Sequence, residues 1–334
     1  MIISRTPYRI SLFGGGTDYP AWFHRHGGEV LAASINRYCY LTCRYLPPFF
    51  EQRFRIVYSI TEECNEAREI KHPVVRAALE MFRLQHGVEL HHDGDLPARS
   101  GIGSSSSFTV GILHALHALR GEIISKEDLA KAAIHLEQAM LKESVGCQDQ
   151  VSAAYGGFNH IEFLPSGEFR VQPLTLGAER IEEVVGHLML FYTGIRRISS
   201  DVAATYVNDL EARAVQLQRA QQSVGEAKRL LMQKGRMKEL GELLHETWLQ
   251  KRSLSPAVSR PEIDDLYETA RQAGAIGGKV LGAGGGGFIL LIVPPERKIF
   301  VRQRLHKLTW VPFAFEQTGS QIIYYEPEEV ENPV

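Results

Sequence analysis

Apolar and polar residues alternate along the first part of the chain in the two-residue rhythm of half-buried strands. The pattern predicts strand at residues 2–3 and 8–13, interrupted by Pro7, then at 31–35, 38–45 and 53–60, which together suggest an antiparallel region. Residues 74–86 change to a helical period, and a short strand follows at 88–92. The stretch PARSGIGSSSSFTVGILHALHAL, residues 97–119, then joins a loop of glycine and serine to the most apolar helix of the chain. Phe108, Ile112, Leu116 and Leu119 mark one helical face and Val110 and Leu113 another, so this helix is expected to be buried on most sides and closed by Gly121. Ser125 is placed to cap the next helix, whose apolar stripe is Leu129, Ala133, Leu136 and Met140.

After CQDQVSAAYGG the sequence FNHIEFLPSGEFRVQPL reads as a hairpin turning at 165–167, and a domain boundary is expected near 176–180. A strand at 187–192, two or three helices over 201–250 and a helix over 261–272 lead to KVLGAGGGGFILLIV, with a last helix at 299–308. Strand, helices, two strands and a helix in that order suggest a split-βαβ sandwich for the second half.

Composition narrows the class without naming it. At 334 residues the chain is long enough for two domains, and its net charge of −2 gives no reason to expect nucleic acid or an anionic membrane as a partner. No run approaches the 18 or so apolar residues of a membrane span, and the first residues lack the pattern of a secretory signal. The four cysteines, Cys39, Cys43, Cys64 and Cys147, form no CxxC and no zinc spacing. Cys39 and Cys43 share one face of a strand, which favours packing over a disulfide, and a reducing cytoplasm is the simplest location. The histidines form no HExxH, so a catalytic transition metal is not expected.

The candidate chemistry lies in three glycine loops. A helix N-terminus carries about half a positive charge and several unpaired N–H groups, and the glycines before it let backbone approach a ligand. The loop at Gly101, Ile102, Gly103, Ser104, Ser105, Ser106 and Ser107 therefore suits a phosphate chain. A serine-rich linker would not be expected to run straight into a helix this apolar. Gly282, Gly284 and Gly287 fit GxGxxG, but that dinucleotide fingerprint needs a helix after it, and here FILLIV reads as a strand. GxxxxGK[ST] is absent from the sequence. With the cluster at residues 14–16, the three loops suggest a site assembled from both halves of the chain.

RTPYRISLFGGGTDYP (residues 5–20), PARSGIGSSSS (97–107) and KVLGAGGGGF (279–288) are similar, in that order, to the three motifs of the GHMP family of small-molecule kinases. That family includes galactokinase, homoserine kinase, mevalonate kinase and phosphomevalonate kinase. The resemblance covers nearly the whole chain. It implies an α+β, two-domain GHMP kinase fold: a ribosomal-protein-S5-like α/β domain over 1–178 and a ferredoxin-like split βαβ domain over 179–334. It further implies ATP and Mg²⁺, with Ser105 and Glu137 at the metal, which needs only one or two carboxylates beside the phosphates. Glu137 adjoins Leu136 on the apolar face, so full exposure is not expected.

By the same resemblance Asp149 is the catalytic aspartate and Arg9 the basic residue beside it, holding the carboxylate ionised and stabilising the transferring phosphoryl. Read from sequence alone, Asp149 could instead be an acid satisfying a helix dipole. Ser106 and Ser107 replace the family's usual alanines, and capping the helix is the simplest role for them.

Galactokinases have Glu and His where this chain has Gly15 and Gly16, while Asp18 is kept as an acceptor for sugar hydroxyls. GGGTDYP, RSGIGSSSSFTVG and TGIRRISS resemble the branch that phosphorylates the anomeric C1 hydroxyl of D-glycero-D-manno-heptose 7-phosphate, on the way to nucleotide-activated heptose for surface glycans. The acceptor side is then expected at Gly15, Gly16, Thr17, Asp18, Gly284 and Gly285. Its second phosphate would fall to Arg197, with Arg196, Ser199 and Lys279 behind it. A C1 sugar kinase of fucokinase or galactokinase type, or an idle binding protein on the same fold, are the alternatives. The expected partner is a small sugar phosphate; the sequence does not indicate an oligomeric state.

Overall fold

The computed structural model describes residues 1–47, 49–84, 86–195, 199–207 and 209–326. Its first half runs β1 (Ile2–Phe13), α1 (Pro20–His26), β2 (Gly28–Tyr45), β3 (Phe54–Val57), β4 (Thr61–Cys64), α2 (Pro73–Phe82), β5 (Val88–Gly94) and α3 (Ser104–Leu119). It continues with α4 (Lys126–Ile134), α5 (Gln148–Tyr155), β6 (Phe158–Phe163) and β7 (Phe169–Pro173). The long strand β2 organises this half. Its first residues pair with β6, its last with β5, and residues 31–43, across a bulge, with β1. Cys39 and Cys43 are buried on β2 as free thiols.

Pro7 does not break β1. It sits where the β1–β2 register shifts, between the Pro7–Tyr38 and Tyr8–Ile35 pairs, so its missing N–H falls at a bulge. Asn36, looped out opposite, sends its N–H to Ala314 O at 3.0 Å. The strand expected over 53–60 stops at Val57, because the chain turns at Tyr58, whose N–H donates to Ile60 O, and a separate strand, β4, starts at Thr61. Helix α3 is buried as its pattern requires and lies against β1 and β2. Gly111 allows that approach: a Cβ there would meet Thr6 Oγ1 at 2.9 Å, and Ser4 Oγ donates to the Gly111 carbonyl.

The second half runs α6 (Ala178–His187), β8 (Leu188–Tyr192), α7 (Ser199–Val207), α8 (Ala214–Leu231), α9 (Met237–Arg252) and α10 (Pro261–Gln272). It ends with β9 (Gly277–Val280), β10 (Phe288–Ile292), α11 (Lys298–Arg304), β11 (Thr309–Val311) and β12 (Gln321–Tyr325). Four of these strands form an antiparallel sheet in the order β11-β8-β10-β9, the arrangement of a split-βαβ sandwich. Strand β12 belongs elsewhere. Although it falls beyond the boundary expected at residue 178, it pairs with β1 at the edge of the eight-stranded sheet, whose main path is β12-β1-β2-β5-β3-β4, with β6 on β2 and β7 on β6. Among the described residues no helix is long and apolar enough to cross a membrane.

The returning segment locks onto the end of α5. Gly157 N–H donates to Glu316 O, and Ser320 N–H to Ala153 O, each at 2.9 Å. A Cβ on Gly156, whose φ is +68°, would lie 2.0 Å from the backbone of Thr318. Gly156→Ala should therefore destabilise the protein by more than about 1 kcal/mol in urea unfolding. Gly186→Ala, inside α6 with nothing within 4 Å among the described residues, should stabilise it by up to about 1 kcal/mol. Equal effects at the two positions would refute this packing argument.

Candidate active site

The loop before α3 is held from below by one side chain. Arg9, on β1, accepts no solvent: it is 3% exposed, and its Nη1 donates to Gly101 O at 2.8 Å while its backbone N–H donates to Ile102 O. Gly101 and Gly103 adopt φ of +87° and +73°, and Gly103 leads directly into the first turn of α3. Ser104 and Ser105 lie at the outer side of this turn, half-buried and exposed respectively. Ser106 and Ser107 do not cap the helix. Their positions in the first turn rotate them inward, where Ser106 Oγ donates to Glu137 Oε2 at 3.0 Å and Ser107 Oγ donates to Pro7 O at 2.9 Å. Both hydroxyls are thus engaged within the protein.

Glu137 reaches that hydroxyl through an irregularity. Helix α4 passes into a π-helical turn over His135–Met140. The wider turn shifts the faces of the expected stripe: Leu129, Ala133 and Leu136 are buried, but Met140 is 37% exposed and Glu137 only 1%. Burial pushes the Glu137 carboxyl up to about 7, opposed by hydrogen bonds from Thr109, Gln150 and Ser106. Its Oε1 has no partner among the described residues. A buried carboxylate with one free oxygen, beside a loop open to phosphate, fits Mg²⁺, which takes few protein ligands when phosphates supply others. Ser105 lies in the same turn, but the hydroxyl bonded to Glu137 is that of Ser106. Among the described residues no group of three or more His, Cys, Asp or Glu could hold a metal ion.

Across the loop stands Asp149, at the start of α5. Arg9 Nε donates to its Oδ1 at 2.8 Å and Nη2 to its Oδ2 at 2.7 Å, a two-pronged pair. A Cβ on Gly103 would lie 3.2 Å from Arg9 Cγ and 3.5 Å from Asp149 Oδ2, so the loop touches the pair. Asp149 keeps 26% of its side chain exposed, leaving a face toward the cleft. Asp18 lies beneath, 1% exposed, accepting from the N–H groups of Gly16 and Gln148 at 3.0 and 3.3 Å. Burial raises the pKa of its carboxyl, and the Asp149 charge raises it further. Gly146 is required here, since a Cβ would fall 2.0 Å from Asp18 Oδ2.

Lys279, on β9, closes the floor. Its Nζ donates to Leu12 O at 3.0 Å, and burial, with Arg9 nearby, lowers it to about 7 while Asp18 acts in the opposite direction. It lies inside the protein, 6% exposed, rather than at an open phosphate pocket.

The other expected residues divide. Gly15 and Gly16 line the cleft beside Asp18 and are half-buried, but Thr17 is fully buried and holds the turn, donating to Gly14 O at 2.8 Å. The glycines of the third loop lie between strands β9 and β10, not before a helix. Gly285 N–H donates to Val258 O, and Phe288 N–H to Ser100 O, so this loop braces the loop before α3 from behind. Arg196 and Arg197 lie outside the described residues, as does the side chain of Ser199. Gln150, Ser11 and Gln148 also belong to the site, although sequence reasoning passed over them. The two glutamines flanking Asp149 in CQDQ were the available signal.

Two family domains match this chain: the GHMP kinases N-terminal domain over residues 71–157 and the GHMP kinases C-terminal domain over 228–309. The chain belongs to the GHMP kinase family. Among its relatives, a D-glycero-alpha-D-manno-heptose 7-phosphate kinase of Campylobacter jejuni is 27% identical, over 92% of this chain and 93% of that one. A bifunctional fucokinase/GDP-fucose pyrophosphorylase of Arabidopsis thaliana is 27% identical over 90% of this chain but only 31% of its own length. The crystal structure of a D-glycero-D-manno-heptose 1-phosphate kinase from Bacteriodes thetaiotaomicron superposes with a TM-score of 0.78 at 26% identity, covering 97% of this chain and 99% of that one.

The buried lysine makes a prediction about pH. With a folded value near 7 and an unfolded one near 10.5, Lys279 binds a proton between those limits only in the unfolded chain. Its contribution to stability therefore grows as pH rises from about 7 to 10. Lys279→Met has no such proton, so the unfolding free energy of the variant minus that of the wild type should fall over that range, by on the order of a few kcal/mol. A difference independent of pH in urea titrations would refute the assignment.

Proposed function

We infer that the cleft transfers the γ-phosphoryl group of ATP to a sugar hydroxyl, specifically the anomeric C1 hydroxyl of D-glycero-D-manno-heptose 7-phosphate. The observation that carries this is the two-pronged Arg9–Asp149 pair touching Gly103 at the start of α3. A phosphate chain at that helix end meets N–H groups of the loop, and an acceptor hydroxyl at Asp149 faces its last phosphorus. Phosphoryl transfer through a loose transition state needs alignment and charge stabilisation more than a strong base. Arg9 supplies both: it fixes the carboxylate of Asp149, which takes the acceptor's proton, and it places positive charge where the transferring group accumulates negative charge. Glu137, with Ser105 in the first turn of α3, would hold Mg²⁺. When bound, the ion would neutralise charge on the phosphate oxygens.

The choice of acceptor rests on the heptose 7-phosphate kinase of C. jejuni and on the short motifs shared with that branch. Asp18 would bind sugar hydroxyls, with Gly15 and Gly16 beside it. Arg197 and Arg196 are assigned to the 7-phosphate on their sequence pattern alone, as two adjacent guanidiniums in a short Gly/Ser loop.

ADP release across a panel of sugars and sugar phosphates tests this directly. The heptose 7-phosphate should give the highest kcat/KM, above fucose and galactose, and Asp149→Asn should lower kcat by at least about a hundredfold. No turnover with any sugar, or undiminished turnover in Asp149→Asn, would overturn the reading. Arg197→Ala should raise the KM for the 7-phosphate by about tenfold or more while leaving unphosphorylated sugars unaffected. Glu137→Gln should raise the Mg²⁺ concentration needed for half-maximal rate; an unchanged requirement would remove Glu137 from the metal.

A further inference from the structure

Beside Gly15, the side chains of Ser11 and Gln148 come together, and each has a buried polar atom that lacks a partner among the described residues. Ser11 Oγ, in a residue only 4% exposed, is one; Gln148 Oε1 is the other. A Cβ built on Gly15 would sit 3.4 Å from Ser11 Oγ and 3.7 Å from Gln148 Nε2. Gly15 does not adopt the left-handed backbone of Gly14 and Gly16, so its conformation does not demand glycine. What the missing side chain provides is space, in a half-buried residue beside Asp18 and Asp149. Gln148 joins the two carboxylates: its N–H donates to Asp18 Oδ2, and Asp149 follows it in sequence.

We propose that Ser11, Gly15 and Gln148 form a specificity-determining slot for a second hydroxyl of the acceptor, next to the one that is phosphorylated. This rests on reading the cleft as a sugar-kinase site. A hydroxyl both donates and accepts, so it can serve the amide of Gln148 in either orientation and the Ser11 hydroxyl at once. A methyl group in the slot would leave both atoms unpaired, and a carboxylate would face the negative charges of Asp18 and Asp149. The class selected is therefore a polyol or sugar with a hydroxyl neighbouring the reactive one, not a hydroxy acid. Substrate binding completes the hydrogen bonding of groups that are otherwise unsatisfied, which is where a site discriminates most strongly against an analogue lacking the group.

The test combines variants with deoxy substrates. Gln148→Leu, Ser11→Ala and Gly15→Ala are each assayed by ADP release with the best acceptor and its monodeoxy analogues, alongside KM for ATP and thermal unfolding. Gln148→Leu and Ser11→Ala should each raise the sugar KM by about tenfold or more while the KM for ATP moves less than about twofold. One deoxy analogue should be correspondingly poor with the wild type, and Gln148→Leu should no longer distinguish it from the intact sugar. Gly15→Ala, which fills the slot without removing either polar group, should raise the sugar KM at an unchanged melting temperature. An unchanged sugar KM in all three variants, or a parallel loss of kcat, both KM values and thermal stability, would overturn the slot while leaving the kinase reading intact. A wild-type protein inactive on every sugar would overturn the kinase reading itself.

Discussion

The pairing of Arg9 with Asp149 is the constraint on which the cleft depends. One guanidinium, out of water, contacts a carboxylate on α5 and the carbonyl of Gly101 in the loop before α3, while its own strand lies between β12 and β2 in the larger sheet. Removing either charge would leave the other uncompensated, a loss that costs about 3–5 kcal/mol for buried pairs. The same economy of charge extends outward. Asp18 accepts two backbone N–H groups and lies near Asp149, while Lys279 lies near enough to Arg9 and Asp18 to feel both. Glycine at 103 and 146 is what lets these charges approach one another and the backbone.

The placement of Glu137 depends on an irregularity in the helix. An ordinary helix continuing from Ala133 and Leu136 would keep Met140 on the buried stripe, as its spacing suggests. The π-helical turn exposes Met140 and brings Glu137 inward, where Ser106 and Gln150 hold one oxygen and leave the other free. Such turns cost regular hydrogen bonding and recur where a side chain must be aimed. The extra hydroxyl at Ser106 is therefore part of the carboxylate's support.

Much of the fold was legible because it is written locally. Alternation located β1 and β2, the helical period and serine run located α3, and Ser125 caps α4 as its sequence suggests, accepting from Asp128 N–H at 3.0 Å. The order of elements in the second half also anticipated its antiparallel sheet. What escaped depends on partners distant in sequence. Pro7 looked like a strand breaker because the bulge that accommodates it lies on β2. Ser106 and Ser107 looked like caps because their partners, Glu137 and the carbonyl of Pro7, are far away in the chain. Periodicity cannot reveal one inserted residue in a helical turn, so Met140 was placed inside. Lys279 belonged to a glycine motif whose spacing carries no information about burial.

Strand β12 gives the molecule a temporal order as well as a shape. The strand bearing Arg9 is made well before residues 321–325, which pair its outer edge. During synthesis that edge stays open until residue 325 has been added, while α5, with Asp149, awaits the 316–320 segment that packs on its end. The smaller sheet, by contrast, has all four of its strands by residue 311. Completion of the larger sheet is thereby coupled to the arrival of β12, and a ribosome that stops before it releases a protein whose larger sheet has an unpaired edge.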